Sequence, residues 1–289
     1  SLLLLFVFLS AFLAPPLSRL LRMPVPVGEL VIGLLLGHFL AQGVALPEIL
    51  GFLADFGFLL LMFLAGLEVD FNLLRQLERR HFVFYALYVV GMFLGAGLLA
   101  GLLGVGLAQA LILALVSIGL MVATLRDMGI LGRASAKRVL TLGVLGEVAS
   151  LFGLTAMEKA AHYQGLLSLL KEVGIIALFF LLLFLAFRLA GLFLWWYPEV
   201  GRRLVYEEDP SAMGIRLSLA LMFAAAVMSG LVGLESVLGA FLAGMILSYF
   251  LQKKHDLEAK LSAMGYGFLI PIFFIRTGMG IDLSGLDGR

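Results

Sequence analysis

One carboxylate in this sequence stands alone in a long apolar segment. Glu147 lies in GVLGEVASL, residues 143–151, about ten residues from the nearest charged residue on either side. In a helix that spacing corresponds to roughly 15 Å, which places Glu147 near the middle of a bilayer about 30 Å thick. A charge at that depth is costly, and no basic residue lies within four positions. Glu147 is therefore predicted to bind either a proton or a monovalent cation. The alternative is a protonated glutamate that is hydrogen-bonded to a neighbouring helix.

A second set of polar residues ends another apolar segment. The sequence SIGLMVATLRDMG, residues 117–129, contains Ser117, Gly119 and Thr124. Unwound backbone at helix breaks coordinates cations in transporters that have discontinuous helices. Small residues in membrane helices also serve close packing between helices. The residues alone leave both interpretations open.

Two further charged residues, Glu68 and Arg276, lie within apolar segments. They could pair with each other inside the protein, because a buried charge usually needs a partner. Alternatively, each lies within a turn or two of the membrane surface, where a long side chain can reach water. Glu29, Asp55 and Glu235 lie close to predicted helix starts, and structural and gating roles are equally open for them.

Composition and motifs exclude several classes of protein. Of the 289 residues, 62% are hydrophobic and 13% are charged, and that charged fraction is about half the value typical of soluble domains. The net charge is +1 without a basic patch, so we expect no nucleic acid partner. The chain has no cysteine, and its four histidines lack metal-ligand spacing, so we expect no metal site. Motifs such as HExxH and GxxxxGK[ST] are absent, and we expect neither an enzyme nor a cofactor beyond the transported ions.

Apolar runs predict an all-α polytopic membrane protein with about ten transmembrane helices, which we number span 1 to span 10. Spans 8 and 9 are separated at Gly233, because their combined length is too great for one crossing. The predicted spans are approximately 2–21, 25–42, 49–69, 82–103, 105–125, 139–159, 173–195, 215–232, 234–251 and 261–281.

The distribution of Lys and Arg predicts the orientation of these spans. With the N-terminus outside, 16 of the 20 basic residues fall in inside loops and only three fall in outside segments. Inside loops of membrane proteins carry such an excess of basic residues. We therefore expect an integral protein in the lipid bilayer of a bacterial inner (plasma) membrane, with the N-terminus outside.

An internal repeat relates the beginning of the chain to its end. GELVIGLLLG at 28–37 matches GAFLAGMILS at 239–248, with a constant offset of 211. GFLLLMFLAGLEVDF at 57–71 matches GFLIPIFFIRTGMGIDL at 267–283, with an offset that rises from 210 to 212 and with Phe63 on Phe273. Because the matched spans run in opposite directions, the repeat is predicted to be inverted, as in secondary transporters.

The repeat divides the chain into three predicted parts. Residues 1–160 form the first inverted repeat with spans 1 to 6, and residues 161–212 form a linker with span 7 and a cytoplasmic loop. Residues 213–289 form a partial second repeat with spans 8 to 10. Spans 4 to 6 have no counterparts, so we expect that roughly three helices, on the order of 80 residues, are missing from the second repeat.

The order of these segments resembles the cation:proton antiporter superfamily. The resemblance rests on GELVIGLLLG, FLAGLEVDF, SIGLMVATLRDMG, GVLGEVASL and GAFLAG, and it covers essentially the whole chain. It is closest to the branch of sodium/proton exchangers and glutathione-gated potassium efflux systems. The resemblance implies a homodimer in which each bundle has about thirteen helices, formed by two inverted six-helix repeats and a linker helix.

The resemblance also implies roles for individual residues. In the family an acidic residue on the sixth helix carries the ion, often after a second acidic or amide residue, and the matching pair here is Gly146-Glu147. Glu147 is thus the implied carrier, and the first carboxylate of the paired form is missing. One carboxylate holds one proton or one cation, so we expect electroneutral exchange. Ser117 falls where the unwound crossing segment of the family begins.

The predicted function is exchange of Na⁺ or K⁺ for H⁺ by alternating access. The resemblance implies further partners, namely the missing C-terminal helices or a cytoplasmic regulatory domain. One alternative is a sodium-coupled organic anion transporter with a related inverted-repeat fold, and another is a non-transporting membrane subunit. Residue types do not separate Na⁺ from K⁺, because selectivity depends on site size and ligand number.

Overall fold

The computed structural model describes most of seven predicted spans and about half of spans 5 and 6. The described residues are 2–40, 47–69, 79–104, 106, 114, 117–133, 135–136, 138–144, 146–147, 149–150, eight single positions between 174 and 196, 212–250 and 255–281. Those eight single positions are helical and fall in or next to predicted span 7, whose boundaries lie outside the described residues. Within the described part of the chain, every regular element is a helix.

The elements follow the predicted order, and we number them along the chain. They are α1 (Leu2–Leu20), α2 (Val25–Leu40), α3 (Glu48–Leu67), α4 (Arg79–Leu103), α5 (Ile118–Asp127), α6 (Met213–Leu231), α7 (Ser236–Phe250), α8 (His255–Met264), a π-helix (Gly265–Leu269) and α9 (Ile270–Met279). Between α5 and α6, the described positions of 138–150 are helical and belong to predicted span 6.

Five of the described helical segments are long and apolar enough to cross a membrane, and two shorter apolar helices, Val25–Phe39 and Ser236–Tyr249, accompany them. The outermost candidates, in α1 and α4, are only 17% and 11% buried by the rest of the protein, whereas the span in α3 is 56% buried. A bilayer is the solvent that suits such apolar outer faces. The prediction of an all-α polytopic membrane protein is therefore confirmed.

Two predicted spans differ from the structure at their boundaries. Span 5 was predicted as one helix over 105–125, but α5 begins only at Ile118, because Ser117 has an extended backbone (φ −99°, ψ 102°). Span 10 was predicted to begin at 261, but its helix begins at 255 and contains the π-helix. The π-turn lies directly before Pro271, whose ring nitrogen cannot donate to the preceding turn.

The two ends of the chain are packed together by small residues. A Cβ on Gly33 would overlap the backbone of Ile275, and a Cβ on Gly37 would overlap that of Met279. Both pairs are 242 positions apart, so α2 and α9 run parallel at a backbone-to-backbone contact. The parallel pair α3 and α7 is equally close, and there the Ser248 hydroxyl donates to the Val69 carbonyl at 3.0 Å.

These two helix pairs are copies of each other. The Cβ of a Gly33 variant would fall on the Ile275 carbonyl oxygen, and that of a Gly244 variant would fall on the Phe63 carbonyl oxygen. Position 244 is 33 plus 211, and position 275 is 63 plus 212, so the contact occurs once in each repeat. The same relation links the contacts Gly278–Leu30 and Gly66–Phe241.

The relation extends to the turns before α2 and α7. Arg22 and Gly233, which are 211 positions apart, both have positive φ, at 55° and 76°. Such a conformation suits glycine and is unusual for a residue with a side chain. Each turn is closed by a 3.0 Å backbone hydrogen bond, from Met23 to Ser18 and from Leu234 to Ser229.

Contacts between α3 and α9 establish that the repeat is inverted. Gly57 meets Phe273 of α9, and Leu64 meets Gly265 at the start of the π-helix that leads into α9, so α3 and α9 run antiparallel. Because α2 is parallel to α9 and α3 is parallel to α7, α2 must run opposite to its counterpart α7. In the structure, Phe63 of the first repeat is equivalent to Ile275 of the second repeat, whereas the sequence match aligned it with Phe273. The two-residue insertion of the second repeat therefore lies closer to the π-helix than the sequence match predicted.

Candidate functional site

The chain changes conformation in the middle of predicted span 5. Ser117 is extended and caps α5, with its hydroxyl oxygen accepting a hydrogen bond of 3.3 Å from the Leu120 amide. Serine is a favoured residue at this capping position, because its oxygen replaces a missing backbone acceptor. The amide groups of the first turn of α5 therefore lie inside an apolar segment rather than at its end.

Glu147 faces this helix start. The Ile118 amide donates to the Oε2 atom of Glu147 at 2.8 Å. The positive end of a helix dipole and its free amide groups favour a negative charge at this position. A carboxylate has further lone pairs beyond the one used by Ile118, and these remain for a proton or a cation. The structure therefore places a carboxylate at the break before α5.

Ser150 ties the same break to span 6, and sequence reasoning missed it. Its hydroxyl lies 2.7 Å from the Gly146 carbonyl and 3.0 Å from the Ala114 carbonyl, and its single proton can be donated to one of them at a time. Ser150 is 2% exposed. It lies three positions after Glu147, on the same side of a helix, and that spacing was the signal available in the sequence.

Small residues bring α5 close to its neighbours. Gly119 is buried against Leu61 and Met62 of α3, and a Cβ there would lie 3.0 Å from the Cδ2 atom of Leu61. Gly143, one turn before Glu147, is equally close to Met121, whose Cε atom would lie 2.9 Å from an added Cβ. The small residue at position 119 thus packs α5 against α3.

The other end of α5 is anchored by two charged residues. The Arg126 guanidinium donates from Nη1 to the Ser262 hydroxyl at 3.0 Å, and its Cζ atom lies 4.6 Å from the centre of the Tyr266 ring. The Asp127 Oδ2 atom accepts from the Val25 amide at 3.0 Å, at the start of α2. These contacts join α5 to the start of α2, to α8 and to the π-helix.

A cavity of about 270 Å³ lies at this anchored end of α5. Residues of α1, α2, α5, the π-helix and α9 line it, and four of them carry formal charge. Arg19 and Asp127 are exposed and Arg126 is half-buried, whereas Glu29 is only 4% exposed. The cavity therefore leads from exposed charged groups to one deeply buried carboxylate.

The structure brings together only some of the predicted site residues. Ser117, Gly146 and Glu147 lie at the break before α5. Thr124 is six residues further along α5, roughly 9 Å from Ile118, and therefore lies away from the carboxylate.

The described helices do not favour the pairing of Glu68 with Arg276, which the sequence left open beside an interfacial position. Glu68 ends α3 and acts electrostatically on Tyr266 in the π-helix, whereas Arg276 is in the last turn of α9, ten residues beyond Tyr266. Ten helical residues correspond to roughly 15 Å. Matched positions of an inverted repeat lie at opposite ends of the membrane unless they are near its middle, which explains the separation. The interfacial interpretation of Glu68 stays a prediction.

Among the described residues, no group of three or more His, Asp or Glu side chains is arranged to hold a metal ion.

Comparison with known proteins gives a consistent picture. The family model described as "Sodium/hydrogen exchanger, transmembrane" matches residues 8–288. The chain is 28% identical over 304 residues to the putative Na⁺/H⁺ antiporter YjbQ of Bacillus subtilis, a match that covers 96% of this chain and 47% of YjbQ. It is 29% identical over 289 residues to the probable Na⁺/H⁺ antiporter GerT of Bacillus cereus, covering 98% of this chain and 74% of GerT.

A third relative is named for a different cation. The glutathione-regulated potassium-efflux system protein KefC of Escherichia coli is 28% identical over 288 residues, which cover 96% of this chain and 44% of KefC. The chain thus spans about half the length of YjbQ and of KefC, and about three quarters of GerT.

Proposed function

The chain belongs to the sodium/hydrogen exchanger family, and we propose that it exchanges one monovalent cation, Na⁺ or K⁺, for one H⁺ across the membrane. The family is one of transporters rather than enzymes. The names of the relatives support cation/proton exchange in general. The stoichiometry, the mechanism and the identity of the cation are parts of the proposal.

One observation carries the proposal. The Glu147 carboxylate accepts a 2.8 Å hydrogen bond from the Ile118 amide, at a helix start inside an apolar span. A carboxylate in that position can be neutralised by a proton or by a cation, but one charge cannot hold both at once. Competition for this single group couples cation movement to proton movement in opposite directions, and it makes the exchange electroneutral.

Alternating access would present Glu147 to one side of the membrane and then to the other. The inverted packing supports this mechanism, because two halves of opposite orientation can rock around a site near the membrane midplane. Ser150 and the capping Ser117 would hold the break in place during the cycle. Both hydroxyls already bond to the backbone around it.

The location and the oligomeric state of the protein are also parts of the proposal. We propose an inner (plasma) membrane location with the N-terminus outside, in agreement with the distribution of basic residues. We also propose a homodimer, for which the weakly buried faces of α1 and α4 offer apolar surface that lipid or a second copy could cover. Activity of the whole protein, its regulation and the choice between Na⁺ and K⁺ belong to this proposal too.

A transport assay with a charge-neutralising variant tests the function. The full-length protein that contains this sequence is reconstituted in liposomes with an imposed pH gradient, and Na⁺ or K⁺ is then added outside. We expect wild type to collapse the gradient, and Glu147→Gln to reduce exchange to the rate of empty liposomes. Glu48→Gln, which neutralises an exposed carboxylate at the start of α3, is the matched control and should leave the rate unchanged. Wild-type exchange by Glu147→Gln would refute the carrier role.

A further inference from the structure

A deeply buried carboxylate lies outside the exchange site. Glu29 is 4% exposed and lines the 270 Å³ cavity at the anchored end of α5. Within the part of the chain that the structure describes, no hydrogen bond or ion pair reaches its carboxylate. A buried charge without a partner is strongly disfavoured, so the group must take up a proton or a cation. The cavity provides the space for either one.

The charged groups around the cavity do not compensate Glu29. Asp127 acts on it with a like charge. The nearby basic residue Arg126 is already held by the Ser262 hydroxyl and the Tyr266 ring. The lining side chains from α9 are apolar. The titratable or charged residues facing the cavity are Arg19 from α1, Arg126 and Asp127 from α5, and Tyr266 from the π-helix.

The second repeat has no carboxylate at the position that corresponds to Glu29. The counterpart of Glu29, 211 positions further on, is Ala240, which is fully buried. The neighbouring positions are conserved in kind between the two repeats, because Gly28 corresponds to Gly239 and both pack tightly on a serine of the preceding helix. One mouth of the bundle therefore has a buried acid where the other has a methyl group.

The cavity and the exchange site are connected by α5. Ile118 starts this helix beside Glu147, and Asp127 ends it at the cavity. Ten helical residues correspond to roughly 15 Å. An ion that moves between water and Glu147 along this helix would pass Glu29 on one side of the membrane only.

We propose that Glu29 is a second binding site for a proton or a monovalent cation, at the mouth lined by Arg19 and Arg126. It would make exchange depend on pH and on cation concentration differently at the two sides of the membrane. This inference rests on the exchange function proposed above.

Sided transport measurements test the inference. Full-length protein of known orientation in liposomes is assayed for exchange with Na⁺ and with K⁺, and the cation concentration and pH are varied on one side at a time. For Glu29→Gln we expect the half-saturating cation concentration at the Arg126 side to rise at least about fivefold, which is the effect of removing one charge at about 4 Å even in a water-like medium. Its dependence on pH at that side should flatten, and the values at the opposite side should stay as in wild type.

Two further variants complete the design. Glu235→Gln removes an exposed carboxylate from the opposite mouth and should leave the Arg126 side unchanged. Glu29→Asp keeps the charge and should keep the wild-type difference between the sides, which would attribute the effect of Glu29→Gln to the lost charge. Equal pH dependence at both sides in wild type would overturn the inference without any variant.

The outcomes separate this inference from the proposed function. If wild type does not exchange ions, the function itself fails. If wild type exchanges ions and Glu147→Gln does not, but Glu29→Gln equals wild type at both sides, only the role of Glu29 fails.

Discussion

Shortening the carrier side chain by one methylene tests the geometry at the break in span 5. In Glu147→Asp the carboxylate is retained, but it withdraws by roughly the length of one carbon–carbon bond, about 1.5 Å. The 2.8 Å hydrogen bond from the Ile118 amide would then lengthen to about 4 Å, beyond hydrogen-bonding distance. The variant therefore separates the presence of the charge from its position.

The expected size of the effect follows from this one bond. Hydrogen bonds to charged groups contribute about 1.5–3 kcal/mol, which corresponds to roughly 10- to 150-fold in an equilibrium constant. The bond stabilises the ionised carboxylate, which is the form that binds a cation. We therefore expect Glu147→Asp to exchange ions with a half-saturating cation concentration at least about tenfold above that of wild type.

The assay is cation-driven proton movement in liposomes, measured over a range of Na⁺ and K⁺ concentrations at fixed pH. Glu48→Asp is the matched control, because it makes the same change at an exposed carboxylate outside the site. If Glu147→Asp had the cation affinity of wild type, the contact with Ile118 would have no part in ion binding. The reasoning from the helix start would then be refuted.

Three other predictions concern stability and coupling. Arg126→Gln removes a charged hydrogen bond and a stacking contact, so it should lower the free energy of unfolding by about 1–3 kcal/mol, seen as a lower melting temperature in detergent. Gly33→Ala and Gly244→Ala create the same backbone overlap in the two repeats, so each should destabilise by about 1–3 kcal/mol or more in the same melt. Ser150→Ala should slow exchange, because it releases the backbone before α5 while Glu147 is kept.

Each of the stability predictions has a control or a contrary result, and wild-type exchange by Ser150→Ala would show that its bond to Ala114 has no part in transport. Gly51→Ala introduces a Cβ into open space on a helix and should leave stability equal or slightly higher. Destabilisation by Gly33→Ala without any by Gly244→Ala would contradict the equivalence of the two pairs. An Arg126→Gln melting curve equal to that of wild type would show that the anchored end of α5 is held by Asp127 alone.

Much of the architecture could be predicted because the bilayer restricts it. Long apolar runs predicted the spanning helices, and the 211-residue offset predicted which helices are equivalent. The contacts around Gly33 and Gly244 agree with that offset. The position of the insertion could not be predicted, because a π-turn before Pro271 adds residues without changing the hydrophobic pattern.

Less of the candidate site than of the fold could be predicted from the sequence. Glu147 was singled out because an isolated carboxylate in an apolar run is conspicuous. Glu29 was left open, because its burial depends on α1, α5 and α9, which are distant in the chain. Ser150 was missed, because a serine in a membrane helix usually bonds within its own helix, and only the fold reveals that its hydroxyl also reaches Ala114.

The exchange of helices between the repeats also has a consequence for biogenesis. The close backbone contacts of α2 are with α9, so Gly33 can pack on Ile275 only after 242 further residues have been synthesised. At about 5–20 residues per second, that delay is on the order of 10 to 50 s. During this interval the glycine faces of α2 and α3 have only lipid or insertion machinery against them. The first half of the protein therefore cannot complete its own interior during translation, and premature termination should leave it open to degradation.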